Sequence, residues 1–216
     1  MSGSNGIKGI IFDLDGTLID SFEAIREGFN ATLPLYDLQP LTLEETMTLI
    51  GIPLTETLAE LVGDDRAEEA TIIFRKRYRE VYLKLTTPLP YTSETIHSLK
   101  ARGYRLGVAT NKHAGFSRDI VRHLGWGEAI TSIIGEGDTE KCKPEPDMIY
   151  KNLEVLAVAC EETLYIGDSV IDMEAGQKAG IKTIGVLTGQ HNREKLEAAG
   201  AGVVINNLSE LEGILS

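Results

Sequence analysis

Cysteine is almost missing from this chain: its 216 residues include only Cys142 and Cys160. Two are too few for a disulfide scaffold or a zinc cluster, and both fit a reducing cytoplasm. Cys142 lies between Lys141 and Lys143, charges that favour a thiolate, but a silent reduced thiol is the simpler reading. The four histidines, His97, His113, His123 and His191, have no metal-ligand spacing and read as surface or packing residues. No run of about 18 apolar residues occurs, so the sequence offers no membrane-spanning helix. Positive charge is also scarce. A formal net charge of -12 argues against a nucleic-acid backbone or an anionic membrane as the main partner. It sets a problem too, because an anionic substrate would need a local cation. The opening MSGSNG lacks the basic and apolar pattern of a secretory signal and reads as a flexible start.

What is present is ordinary for a globular protein, with 42% hydrophobic and 25% charged residues. Six β-rich runs stand out: IKGIIF at 7–12, YRLGVAT at 104–110, AITSIIG at 129–135, TLYIGD at 163–168, IKTIGVL at 181–187 and GVVIN at 202–206. Most are continuously apolar, as in strands buried on both faces. Helical stretches such as SETIHSLKARG, PDMIYKNLEVLAV and DMEAGQKAG separate them. This alternation predicts an α/β fold with a Rossmann-like parallel sheet.

The segment from about 20 to 86 breaks that rhythm and contains no convincing strand. SFEAIREGFNATL reads as one helix, and Thr42 with Glu45 forms a capping-box pattern before a second. LTETLAELV gives a third and RAEEATIIFRKRYREVYLKL a long fourth, which Pro88 and Pro90 end. The expected organisation is a core of residues 1–18 plus 88–216, interrupted by an α-helical bundle cap over 19–87.

The chemistry begins at GIIFDLDGTLIDS, residues 9–21, where four apolar-run residues lead into Asp13 and Asp15. Asp-Gly could close a hairpin. However, Phe22, Ile25, Phe29 and Leu33 follow at helical spacing, so the carboxylates belong at the end of a buried strand. Ligands of open α/β sheets sit at the carboxyl ends of the strands. The second run ends in Thr110, Asn111 and Lys112, and the fourth in Gly167, Asp168 and Ser169, with Asp172 one turn on. Lys143-Pro144 precedes the helix before that fourth run. Two carboxylates about 4 Å apart repel by roughly 4 kcal/mol at an effective dielectric near 20. Asp13, Asp168 and Asp172 on one rim therefore require a divalent cation, and all-oxygen donors favour Mg²⁺.

In order and spacing, Asp13-Leu14-Asp15-Gly16-Thr17, Thr110-Asn111, Lys143-Pro144 and Gly167-Asp168-Ser169-x-x-Asp172 resemble the four motifs of the haloacid dehalogenase superfamily. The helical insertion looks like that superfamily's cap, and the chain looks most like the phosphoglycolate phosphatase branch. Ile50-Gly51-Ile52-Pro53-Leu54 resembles the cap specificity loop of that branch, carried here by Gly51, Ile52 and Pro53. True dehalogenases lack the second aspartate, so Asp15 counts against that activity.

The resemblance implies a Mg²⁺-dependent phosphatase acting on a small phosphorylated metabolite, with phosphoglycolate as the nearest type. Asp13 would be the nucleophile and form an aspartyl-phosphate, while Asp15 would move protons. Asp13, the backbone carbonyl of Asp15, and Asp168 would hold the metal, supported by Asp172 and Ser169. Thr110, the Asn111 amide and Lys143 would hold the phosphoryl oxygens. An inorganic pyrophosphatase or a sugar-phosphate mutase on the same scaffold are the rivals. A mutase would need a basic cap residue, and Ile50 to Leu54 has none, leaving Arg26, Arg66 or Arg75. A non-catalytic phosphate-binding module is the alternative of another class. The expected protein is cytoplasmic, a monomer or homodimer, with neither nucleic acid nor membrane as partner.

Overall fold

Ile10, Ile11 and Phe12 have no exposed surface, because the strand they form is covered on both faces. A computed structural model describes residues 6–215, so the opening MSGSNG lies outside it apart from Gly6. Gly9–Phe12 (β1) leads through a tight loop to Ile19–Asp20 (β2). The inserted helices follow as Phe22–Thr32 (α1), Leu43–Thr48 (α2), Leu54–Val62 (α3) and Asp64–Leu85 (α4). Thr87–Pro88 (β3), Thr92–Ala101 (α5), Arg105–His113 (β4), Ala114–His123 (α6) and Ile130–Glu136 (β5) return the chain to the core. Asp147–Leu156 (α7), Thr163–Gly167 (β6), Val170–Lys178 (α8), Lys182–Val186 (β7), Arg193–Ala198 (α9), Val203–Ile205 (β8) and Leu211–Ile214 (α10) complete it.

The six core strands form one parallel sheet in the order β5-β4-β1-β6-β7-β8. Strand order therefore runs outward from β1 in both directions, which opens a crevice at the carboxyl end of β1. Phe12 is level with Val108 on one neighbour and with Ile166 on the other. Ile11 and Tyr165 belong to the core layer shared with α7 and α8, while Ile10 and Phe12 belong to the opposite layer. Among the described residues, no helix is long and apolar enough to cross a membrane.

Two features differ from the sequence expectation. Strand β4 does not stop at Thr110: it runs to His113, with a register irregularity between Ala109 and His113. Such a bulge re-aims side chains, and here it falls on Thr110, Asn111 and Lys112. The second feature is the antiparallel ribbon of β2 and β3, pairing Ile19 with Pro88 and Asp20 with Thr87. It ties both ends of the insertion together at the core boundary. A two-residue strand is too short for alternation to show in a sequence.

The insertion packs through aromatic rings. Phe29 meets Phe74 edge-on with centroids 4.9 Å apart, Phe74 stacks on Tyr78 at 5.8 Å, and Tyr78 meets Phe116 of the core at 5.0 Å. Helix α1 approaches α4 closely because Gly28 faces Phe74: a Cβ there would lie 2.6 Å from the ring. Helix propensity alone favours Gly28→Ala by about 1 kcal/mol, but overpacking a fixed ring costs about 1–3 kcal/mol. We expect Gly28→Ala to lower the melting temperature by about 2–4 °C per kcal/mol lost. Thermal unfolding checks this, and a raised midpoint would mean that Phe74 gives way freely.

Candidate active site

Asp13 follows directly on β1, its backbone N–H donating to Ile166 O at 2.8 Å. Its side chain is buried, and Lys143 Nζ donates to its Oδ1 at 2.7 Å. The same ammonium donates to Asp172 Oδ1 at 2.7 Å and to the Tyr165 hydroxyl at 3.1 Å. Burial pushes the Asp13 carboxyl up to about 7 against the pull of Lys143, with the Asp172 charge adding to the rise. Burial would lower Lys143, but Asp13 and Asp172 outweigh it and hold the lysine above its ordinary range. Desolvation and the charges of Asp172 and Asp13 raise Asp168 well above the usual carboxylate range.

Oxygens of Asp13, Asp168 and Asp172 all lie within 4.8 Å of one another. One lysine against three carboxylates leaves the cluster short of positive charge, and a hard divalent cation fits this all-oxygen donor set. The three are not equivalent. Asp172 Oδ1 accepts from Lys143 and from Tyr165 at 2.8 Å, and its Oδ2 accepts from the Ser169 hydroxyl at 2.6 Å and the Ser169 N–H at 3.1 Å. The Ser169 N–H bond, with the Asp172 N–H donating back to Ser169 Oγ at 3.2 Å, forms the reciprocal cap of α8, so Asp172 is committed to protein donors. The Asp168 carboxylate accepts from Thr17 Oγ1 at 2.8 Å. Gly16, at φ +82°, leaves room for it: a Cβ there would fall 2.6 Å from Asp168 Oδ2.

Asp15 stands outside the cluster. Its Oδ2 accepts from Lys112 Nζ at 2.8 Å and its Oδ1 from the Ser21 hydroxyl. The Lys112 side chain is largely covered as well, and its ammonium lies 4.9 Å from the ring centre of Tyr78 on α4. Sequence reasoning placed Lys112 at a strand exit and gave it no task. Ser21 and Tyr165 carried no signal at all, since a hydroxyl at a helix start or in a strand is commonplace.

Asn111 joins three parts of the molecule. Its side-chain nitrogen donates to Gly51 O at 2.8 Å and Lys143 O at 2.9 Å, while its oxygen accepts the Lys143 N–H at 2.8 Å. Gln190 donates to the neighbouring carbonyl of Ile50 at 2.8 Å. The Ile50–Gly51 turn is thus held down by two core amides, and Gly51 and Ile52 line a cavity together with Asp13, Asp15 and Thr110. Pro53 caps α3 just beyond it. Cys142 precedes Lys143 in the chain, and burial, with Glu136 and Glu56, pushes its thiol up to about 11 against the pull of that lysine, so the thiolate that the flanking lysines suggested is not favoured.

The family described as haloacid dehalogenase-like hydrolase matches residues 10–186. A phosphoglycolate phosphatase of Aquifex aeolicus is 37% identical over 182 residues, covering 83% of this chain and 84% of that protein. The pyrophosphatase PpaX of Bacillus mycoides is 32% identical over 210 residues, covering 97% of each. The solved structure of a haloacid dehalogenase-like family hydrolase from Streptococcus pneumoniae shares the fold, with a TM-score of 0.88 at 24% identity over 98% of this chain and 99% of that one. With the motif side chains gathered at one strand crevice and relatives named as phosphatases, the chain belongs to the haloacid dehalogenase-like hydrolases, as an enzyme of their phosphatase kind.

Proposed function

We propose that this enzyme is a Mg²⁺-dependent hydrolase of a small phosphomonoester of the phosphoglycolate type, working through an aspartyl-phosphate on Asp13. One observation carries the reading: a buried carboxylate at the end of the central strand, gripped by Lys143, with a second carboxylate two residues on. The Asp13 oxygen attacks phosphorus while the bond to the leaving alkoxide breaks. Asp15, oriented by Lys112 and Ser21, gives a proton to the leaving oxygen and then takes one from a water that attacks phosphorus as the Asp13–phosphorus bond breaks, which releases phosphate and restores Asp13. Thr110, the Asn111 amide and Lys143 hold the phosphoryl oxygens. Asp13, Asp168 and the Asp15 carbonyl would hold the cation, which supplies charge neutralisation at those oxygens. Asp172, fixed by Ser169, positions Lys143. The Gly51-Ile52-Pro53 turn closes the site from above and excludes water. The reduced cysteines support a cytoplasmic setting.

The relatives named pyrophosphatase match nearly the whole chain and support a second reading, with phosphate instead of an alkoxide as leaving group. Both readings use the same attacking group.

The proton role of Asp15 has a direct test. Asp15→Asn should lose more rate with ethyl phosphate, a poor leaving group, than with nitrophenyl phosphate, by a margin of about 10²- to 10⁴-fold. Equal losses would assign Asp15 to metal binding or structure.

The cation site is testable without turnover. Asp13 titrates near 7 in the fold against an ordinary 3.8. Without a cation, the stability this group contributes is complete at low pH and is lost as pH rises through about 7. A cation that binds the ionised cluster counters that loss. The rise in melting temperature on adding Mg²⁺ should therefore be larger at about pH 8 than at about pH 5.5. No rise, or an equal one at both values, contradicts the assignment.

A further inference from the structure

Three cap arginines could supply a cation that the Ile50–Leu54 turn lacks, and the structure separates them. Arg26 is paired with Glu23 on its own helix, and Arg66 lies over the Tyr36 ring at 5.6 Å. Arg75 of α4 lines the same cavity as Asp13 and Asp15. One end of its guanidinium is anchored across the cap–core boundary by Glu136 of β5. Its Nε is buried and has no hydrogen-bond partner. A buried donor left without an acceptor is costly and uncommon, and the rest of the side chain is half-exposed, so the guanidinium keeps donors that Glu136 does not use. The other cation on the cavity wall, Lys112, is already committed to Asp15.

We infer that Arg75 is a specificity-determining residue that receives an anionic group on the leaving portion of the substrate. The inference rests on the phosphatase reading above and narrows its substrate class. The ester is one whose leaving group carries a carboxylate or a second phosphate. Both anions fit the planar fork of a guanidinium. Around it the cavity is largely apolar, with Ile25, Phe29, Leu54 and Phe74 among its walls. Those walls give a neutral leaving group only packing, whereas a charged one gains a contact in a site of low effective dielectric. Glu136, which lines the same cavity, is the positioning partner: it holds one end of the guanidinium at the cavity wall. The presence of Arg75 on α4 thus supplies at the leaving group the positive charge missing from the acidic chain as a whole.

The test compares 2-phosphoglycolate, pyrophosphate and ethyl phosphate, the last having the carbon skeleton of the first without its carboxylate. The unaltered enzyme should show a kcat/KM at least about 10-fold higher for one of the two anionic substrates than for ethyl phosphate, the scale of one charged hydrogen bond. Whichever of the two is preferred identifies carboxylate or phosphate as the group received. Arg75→Met should reduce that preference by at least about 10-fold, mainly through KM, and Arg75→Lys should restore part of it. No preference in the unaltered enzyme overturns the inference, as does a preference that Arg75→Met leaves intact. Absence of turnover on all three esters by the unaltered enzyme overturns the phosphatase reading itself.

Discussion

A single buried ammonium, Lys143 Nζ, lies 2.7 Å from an oxygen of Asp13 and 2.7 Å from one of Asp172. Removing a charge from water this completely is unfavourable unless its partners are close and well oriented. The molecule meets that condition with parts drawn from distant points in the chain. Asp13 comes from the end of β1, Asp172 from the first turn of α8, and the lysine backbone is tied to the Asn111 side chain. Ser169 holds the second oxygen of Asp172 and Tyr165 shares the first. If the bridge were lost, a cluster of like charges would remain at the centre of the sheet with nothing to offset it.

The same bridge explains how an acidic protein handles an anion. The chain as a whole repels phosphate, but repulsion between surface charges is screened within about 10 Å in ordinary salt. What counts is the crevice, where Lys143, Lys112 and Arg75 are each buried or half-buried. A divalent cation on Asp13 and Asp168 would add to them. The turn between the inserted helices is held by the same parts, since Asn111 donates both to the Lys143 carbonyl and to Gly51 O. Placement of the lysine and placement of that turn therefore share one side chain.

Much of this was legible in the sequence where local chemistry repeats a rule. Continuous apolar runs marked the strands, and their exits marked Asp13, Thr110 and Asp168. The Thr42–Glu45 capping box is present in the structure, and the Ser169–Asp172 pair proves to be another of the same kind. Lys112, Ser21 and Tyr165 were harder. Their importance depends on what lies opposite them after folding: Lys112 meets a carboxylate ninety-seven positions away. The bulge that extends β4 to His113 is likewise a property of pairing with β5. Among Arg26, Arg66 and Arg75, sequence offered no choice; the cavity wall and the ion pair between Arg75 on α4 and Glu136 on β5 make it.

The central claim is that Asp13 carries the phosphoryl group between the two halves of the reaction. The most direct measurement is chemical trapping during turnover. Enzyme quenched in the presence of substrate and Mg²⁺ is reduced with borohydride, which converts an acyl phosphate to an alcohol, and its peptides are weighed. The account predicts conversion of residue 13 to homoserine, dependent on substrate and absent in Asp13→Asn. Reduction at Asp15 instead, or an unmodified chain under conditions of rapid turnover, would contradict it.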